Sequence, residues 1–156
     1  MKVDLATLRQ FEIFRELNDR ELENFLEIAQ ESVYEEGQRI FEEKSIALNL
    51  YLVLEGEVAI KMKGDSLKDP MTLDRVGPGE TFGWSSLAEP HTFTASACAL
   101  HKTKLIVFRG DWLRDLFKKN NHIGYRVMSE IASLISRRLR HCQSSFLKLY
   151  QRRIGG

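Results

Sequence analysis

The chain has 156 residues, of which 43% are hydrophobic and 29% are charged. This length and composition are typical of one globular domain rather than of a disordered chain. No apolar run approaches the roughly 20 residues that cross a bilayer, and the N-terminus lacks the apolar block of a signal peptide. Its two cysteines are too few for a disulfide framework or a cysteine-ligated iron–sulfur cluster. We therefore expect a cytoplasmic protein with no membrane contact.

The net charge of +1 is unevenly distributed. From residue 122 onward there are seven Lys or Arg residues and one acidic residue, Glu130, so this tail carries +6 and the preceding 121 residues carry −5. A basic tail can bind nucleic acid or an acidic partner, whereas basic residues spread along a helix can also form a solvated face. The sequence leaves both alternatives open.

The N-terminal segment predicts two short helices. Phe11, Phe14 and Leu17 recur at three-residue spacing, as on one face of a helical turn. Asn18 is expected to cap the second helix, and Glu21, three residues later, completes a capping box. The buried stripe of that helix consists of Leu22, Phe25, Leu26 and Ala29.

Short β-rich runs between residues 31 and 108 predict an all-β barrel or sandwich. Gly37, Gly56, Gly79 and Gly83 are expected at turns between them, where backbone conformations favour glycine. The segment KGDSLKDP is expected to be a surface hairpin loop. The runs are SVYEEG, RIFEE, LYLVLEG, EVAIKM, MTLDRVGPG, TFTASACAL and KLIVF.

Two more helices are predicted after the strands, the first being WLRDLFKK with Asp111 as its N-cap. The second extends over about residues 123–150, and its apolar side chains recur at three- and four-residue steps. Such a stripe is typical of a helix that pairs with its own copy, although it could also pack on the strands of its own chain. We expect a homodimer through an interface stripe that contains Met128, Ile131, Ile135, Leu139, Cys142, Phe146 and Leu149.

The segments GQRIFEE, LYLVLEGEVAI, GPGETFGWSSL and TASACAL, followed by a long helix, resemble the cyclic nucleotide-binding domain of the Crp/Fnr superfamily. The resemblance covers nearly all of residues 10–150. It implies a mainly β fold, a double-stranded, jelly-roll-like β-roll with flanking helices and a long C-terminal dimerisation helix. Residues 1–121 would form the helical lid and the ligand-binding roll, and residues 122–156 the long helix of the same domain.

Bacterial regulators of this family carry a DNA-reading helix-turn-helix after the long helix. Such a unit needs two helices with support, and only a few residues of this chain follow the predicted helix before Gly156. We therefore expect the stand-alone bacterial type and no DNA binding by that route.

The resemblance also implies a ligand site, a short helical cassette between two strands. In the family, backbone N–H groups and an Arg hold the cyclic phosphate, and a Glu accepts a hydrogen bond from the ribose. Here Phe82 and Gly83 match the start of the cassette, but Trp84 stands at the Glu position and Phe93 at the Arg position. Because no Arg or Lys occurs in residues 77–100, the loss of the Arg does not depend on the alignment.

Losing one charged hydrogen bond costs roughly 1.5–3 kcal/mol, which weakens binding by about ten- to a hundred-fold. The first hypothesis is therefore a regulatory sensor of a small-molecule ligand other than cAMP, with Trp84 and Phe93 as walls of the pocket. One alternative is a ligand-free dimerising interaction module in which these two side chains plug the cavity. Another is genuine cyclic nucleotide binding through backbone contacts. The candidate ligand-binding residues are Phe82, Gly83, Trp84, Ser85, Ser86, Leu87, Phe93, Thr94 and Ala95.

Catalytic and metal-binding motifs are not apparent in the sequence. It contains no Walker loop, no zinc signature and no Ser-His-acid set at recognisable spacing. A haem or metal ion would need ligands among His91, Cys98 and His101, but the odd separation of Cys98 and His101 places them on opposite faces of a regular strand. We expect no cofactor, no metal and no enzymatic activity.

Overall fold

In the computed structural model of the protein, which describes residues 2–66 and 68–155, eight antiparallel strands lie between N-terminal and C-terminal helices. This arrangement confirms the predicted fold class. The strands are β1 (Gln30–Tyr34), β2 (Arg39–Phe41), β3 (Asn49–Glu55), β4 (Val58–Met62), β5 (Met71–Val76), β6 (Thr81–Phe82), β7 (Ser96–Ala99) and β8 (Thr103–Arg109). The α-helices are α1 (Leu5–Leu8), α2 (Asp19–Leu26), α3 (Gly110–Lys119) and α4 (Asn121–Gly155), and 3₁₀ helices occur at Glu12–Phe14 and Trp84–Leu87.

The strands form two four-stranded sheets, with the orders β1-β8-β3-β6 and β2-β7-β4-β5. An inner core lies between the two sheets, and a helix-side core lies between the first sheet and the helices. Strand β3 contributes to both, because successive side chains of a strand point to opposite faces. Leu50 and Leu52 belong to the helix-side core, whereas Tyr51 and Val53 belong to the inner core.

The predicted capping box holds the start of α2. The Asn18 side chain accepts a hydrogen bond from the Glu21 N–H at 2.8 Å, and the Asn18 N–H donates to the Glu21 carboxylate at 3.0 Å. With its first turn satisfied, α2 packs Phe25 against Phe14 and Phe108, with ring centroids 4.7 and 6.0 Å away. We call the N-terminal helical segment, residues 5–26, the lid. This packing fixes it to the helix-side face of the first sheet.

The turn glycines and the hairpin loop were predicted correctly, whereas the N-cap of α3 was not. The four glycines predicted at turns have positive φ values, and residues 63–70 connect β4 to β5 as the expected hairpin loop, of which Leu67 lies outside the described residues. The prediction of Asp111 as an N-cap was wrong, because α3 begins at Gly110 and Arg109 is its N-cap. Asp111 instead pairs with the Arg109 guanidinium at 2.6 Å. The short helix α1 was not predicted by the spacing of apolar residues.

Helix α4 is longer at both ends than the predicted 123–150 and divides into two parts. Its first part packs Ile123, Val127 and Ile131 into the helix-side core. From residue 139 to residue 155 every side chain is exposed, a length of about 25 Å at 1.5 Å per residue. Within the described residues, α4 and the other helices are too short or too polar to cross a membrane.

We predict that Asn18→Ala lowers the free energy of unfolding by about 1 kcal/mol, because the variant leaves the first turn of α2 without its side-chain acceptor. Urea unfolding followed by far-ultraviolet circular dichroism measures the change. Asn18→Ser is the matched control and should retain most of the stability, since serine is also a good cap. Equal stability of the two variants would contradict this role of the capping box.

Candidate functional site

The cassette begins at Gly83, whose backbone is left-handed with a φ of +84°. A Cβ at this position would lie 2.8 Å from Tyr51 Cδ2 and 3.0 Å from the Asn49 carbonyl oxygen, so the site requires glycine. On a regular strand, Phe82 and Trp84 would face the same side. The left-handed turn sends them to different sides: Phe82 packs in the inner core and Trp84 packs against the helix-side core.

The 3₁₀ turn that follows Gly83 is fixed from inside and from α3. The buried Ser86 hydroxyl donates to the Gly83 carbonyl at 2.8 Å, and the Arg114 guanidinium of α3 donates to the Ser86 carbonyl. Gly110 permits this close approach, because a Cβ there would lie 2.8 Å from the Ser86 carbonyl oxygen. Leu87 packs on the helix-side core at the end of the turn.

At the start of the same turn two backbone donors remain available. Within residues 2–66 and 68–155, the N–H groups of Trp84 and Ser85 donate no hydrogen bond, as is usual at the start of a helical turn. The side chains of Ser85 and Thr94 are half-buried and exposed, respectively. These groups are the polar part of the predicted site.

The far end of the predicted site is occupied by stacked aromatic rings. Phe93 is 5% exposed, and its ring lies 3.6 Å from the Phe41 ring, centroid to centroid, at an interplanar angle of 8°. Phe41 in turn lies 5.7 Å from Tyr51 and 6.0 Å from Phe82. These four rings fill the inner core beside Gly83. The neighbouring Ala95 is also buried.

The backbone of Phe93 is anchored to the loop between β2 and β3. The Phe93 N–H donates to the Ser45 carbonyl at 3.0 Å, and the Phe93 carbonyl accepts from the Lys44 N–H at 2.8 Å. These two hydrogen bonds hold the ring of Phe93 on that of Phe41. The aromatic stack is thus part of the ordered fold.

The inner core disfavours negative charge. Burial raises the pKa of the Tyr51 hydroxyl above its ordinary value, because the phenolate would lose its hydration, and the hydrogen bond from Asn49 offsets only part of this effect. A phosphate placed beside these rings would bear the same desolvation cost without a cation to compensate it.

The residues considered as metal ligands do not converge. The His91 Nδ1 lies 3.2 Å from the Ser85 carbonyl oxygen, Cys98 is half-buried on β7, and His101 is exposed beyond the end of that strand. In the described part of the chain, no group of three or more His, Cys, Asp or Glu side chains is placed to hold a metal ion.

One residue at the cassette was missed by the sequence analysis, Arg138 of α4. Its guanidinium lies 4.8 Å from the centroid of the Trp84 ring and donates to the Thr81 carbonyl at 2.8 Å. The spacing of apolar residues placed Arg138 on a solvated helix face. Two basic residues in succession, Arg137 and Arg138, contain no signal that distinguishes the exposed one from the one that packs on the roll.

The predicted interface stripe is also divided between two environments. Met128 and Ile131 pack in the helix-side core of their own chain. The remaining members are free in a single chain, with Leu139 57% exposed and Phe146 67% exposed. They are Ile135, Leu139, Cys142, Phe146 and Leu149.

Comparison with known proteins agrees with this geometry. The family described as the cyclic nucleotide-binding domain matches residues 31–120. The cyclic AMP receptor protein of Thermus thermophilus is 33% identical over 129 residues, which are 82% of this chain and 57% of that protein. This chain therefore spans little more than half the length of that relative.

Solved structures give the same result. A candidate cyclic nucleotide-binding protein from Geobacter metallireducens is 31% identical, with a TM-score of 0.77 over 88% of this chain and 98% of that one. The catabolite activator protein of Thermus thermophilus is 29% identical, with a TM-score of 0.73 over 89% of this chain and 63% of that one. The chain belongs to the cyclic nucleotide-binding domain family, in its Crp-like form.

We predict that Phe93→Ala lowers the free energy of unfolding by roughly 3–5 kcal/mol, because it leaves a cavity in the inner core. Phe41→Ala and the double variant complete a thermodynamic cycle. The double variant should lose less stability than the two single variants lose in total. The difference should be about 0.5–1.5 kcal/mol, the contribution of an aromatic pair. Strict additivity in urea unfolding would show that the two rings do not interact.

Proposed function

We propose that this protein is a non-enzymatic regulatory module that senses a small ligand other than cAMP and responds through a homodimer of α4. The observation that carries the proposal is the Phe93–Phe41 stack. It occupies the position at which the family resemblance places the phosphate-binding Arg, while the frame of the cassette, with Gly83 and its 3₁₀ turn, is retained.

The charge of the site argues against a cyclic phosphate. Residues 77–100 contain no Arg or Lys, and the Arg138 guanidinium is engaged by Thr81 and Trp84 on the helix side of the sheet. Backbone amides alone would have to balance the phosphate next to the apolar inner core. A cyclic nucleotide should therefore bind about ten- to a hundred-fold more weakly than it would with the Arg present.

The same groups favour a ligand with one hydrogen-bond acceptor and an apolar body. The N–H groups of Trp84 and Ser85 and the hydroxyls of Ser85 and Thr94 are the polar groups that the predicted site offers to such a ligand. A flat ring would have to displace the buried Phe93 ring from the face of Phe41, and the stacking that it makes there would offset part of that cost.

A specific observation also supports a second candidate, a ligand-free dimerising interaction module. The ring of Phe93 is 5% exposed and backbone hydrogen bonds hold it in place, so the roll is filled without a ligand. In that case the aromatic stack is a permanent part of the core and the module acts only through its surface.

The exposed half of α4 supports a dimeric output in both cases. Leu139, Cys142, Phe146 and Leu149 follow the three- and four-residue steps of a coiled-coil seam. Each large apolar side chain contributes roughly 1.5–3 kcal/mol when it is fully buried. Pairing with a second copy would bury these side chains, which the roll of their own chain leaves exposed.

We predict that cAMP at about 1 mM raises the melting temperature of this protein much less than that of the Thermus protein, whereas a panel of uncharged aromatic compounds contains members that raise it clearly, since a bound ligand stabilises the folded state. Differential scanning fluorimetry makes the measurement, and the Thermus cyclic AMP receptor protein is the positive control for cAMP. A clear stabilisation by cAMP would overturn the choice of ligand class. If no member of the panel is stabilising, the ligand-free module is favoured.

We predict that Leu139→Asp converts a dimer into a monomer, because it places like charges in the seam. Multi-angle light scattering after size-exclusion chromatography measures the mass. Ser144→Asp is the matched control, because it introduces the same charge on the opposite face of the same exposed segment and should leave the dimer intact. A monomeric unmutated chain at micromolar concentration would rule out the dimeric output.

A further inference from the structure

Arg138 lies where α4 passes the cassette, and its side chain is 14% exposed. Its Nη2 donates to the Thr81 carbonyl at 2.8 Å, and its guanidinium carbon lies 4.8 Å from the centroid of the Trp84 ring. Thr81 and Trp84 lie on the two sides of Gly83. One side chain of α4 therefore contacts residues before and after the left-handed turn at Gly83.

Two carboxylates complete the surroundings of this guanidinium. Asp74 of β5 lies 3.4 Å from its Nε, and Glu80, which precedes β6, lies 3.9 Å from its Nη2. Burial lowers the pKa of Arg138, and the two carboxylates oppose that effect. The guanidinium remains charged, since the ordinary pKa of arginine is far above neutrality. The planar group is thus held by a ring face, a carbonyl and two acids, a set that a lysine would not match.

The neighbouring ion pairs of α4 join it to the N-terminal segment rather than to the cassette. Arg137, one residue earlier, pairs with Glu12 of the lid at 2.5 Å, and Glu130 pairs with Arg15 of the lid at 2.7 Å. These pairs hold α4 to the N-terminal helices. Arg138 instead connects α4 to the strand and turn that form the cassette.

Arg138 also marks the point at which α4 leaves the body of the protein. Ile131, two turns earlier, is buried in the helix-side core. Leu139, the next residue, is the first member of the fully exposed segment that is available to a second copy. A change in the direction of α4 at this point would move the guanidinium relative to Trp84 and Thr81.

We infer that Arg138 is a positioning residue that links the conformation of the cassette to the pairing of α4, and that Trp84 serves as its platform rather than as a wall of the ligand site. The inference rests on the proposed function, because it assumes that α4 carries the output. Any such link is reciprocal, so a change in the pairing of α4 must alter the cassette as much as an occupied cassette alters the pairing. The link can therefore be tested before the ligand is known.

The test compares Arg138→Met with Arg137→Met, which removes the same charge from the adjacent residue. Both are made in a Trp112→Phe chain, in which Trp84 is the remaining tryptophan. Each is studied with and without Leu139→Asp, which alters the pairing of α4. The readouts are amide hydrogen exchange of residues 81–87 and acrylamide quenching of Trp84 fluorescence, both compared at equal global stability as determined by urea unfolding.

With Arg138 present, Leu139→Asp should speed the exchange of residues 81–87 by about five-fold or more, the lower range of measured couplings between sites, and should increase the quenching of Trp84. In Arg138→Met both should already be increased, and Leu139→Asp should add less than about two-fold to the exchange, because the link is missing. Arg137→Met should retain the full response. Because Leu139 is adjacent to Arg138, Phe146→Asp, which alters the same stripe eight residues beyond Arg138 along α4, is measured in parallel; only a response to both substitutions that depends on Arg138 supports the link.

The inference is overturned if the response to Leu139→Asp persists in Arg138→Met, or if it is absent with Arg138 present in a chain that light scattering shows to be dimeric. If the unmutated chain is monomeric, the dimeric output proposed above fails. The link between Arg138 and the pairing of α4 then fails with it, and faster exchange of residues 81–87 in Arg138→Met but not in Arg137→Met would show only a local structural contact.

Discussion

The side chains of β3 alternate between the two cores of the protein, and this alternation sets the position of both the helices and the second sheet. Leu50 and Leu52 point to the helices, and Tyr51 and Val53 point to the second sheet. Strand β8, its neighbour, is divided in the same way between the two cores. Both faces of this central pair are therefore covered, and a slip of one residue in register would exchange the two sets. The helix-side core positions α4, while the inner core determines what can enter the roll.

The cassette residues on either side of Gly83 pack in different cores, with Phe82 in the inner core and Trp84 against the helix-side core, because the left-handed backbone of Gly83 reverses the ordinary strand alternation. The two aromatic residues that the family resemblance aligns with the Glu and Arg positions, Trp84 and Phe93, also have different surroundings. Phe93 joins the inner stack on Phe41, whereas Trp84 lies on the helix side beneath Arg138. Phe93 thus adds to the apolar interior, and Trp84 provides a contact surface for α4.

Helix α4 combines a fixed half with a free half. Up to Arg138, buried apolar residues and pairs such as Arg137–Glu12 hold it on the lid and the roll. Beyond that residue it projects with exposed Leu139, Phe146 and Leu149 on a segment that carries basic residues and no acidic residue. Like-charge repulsion between two such segments opposes their pairing, and salt screens that repulsion.

Local sequence patterns predict part of this structure. The β-rich middle segment between helical ends, the Asn18 capping box, the positive-φ glycines and the exposed apolar stripe after Leu139 follow from spacing and residue type, whereas α1 and the two-residue strand β6 were not predicted. The absence of Arg and Lys from residues 77–100 is evident from the sequence alone. Tertiary packing, by contrast, places Trp84 and Phe93 in different cores, makes Phe41 the partner of Phe93, and packs Arg138 but not Arg137 on the cassette. Periodicity assigns a face to a side chain within a regular element, but a left-handed turn changes that face. The partner across a core is set by how the sheets and α4 pack together, which no local pattern records.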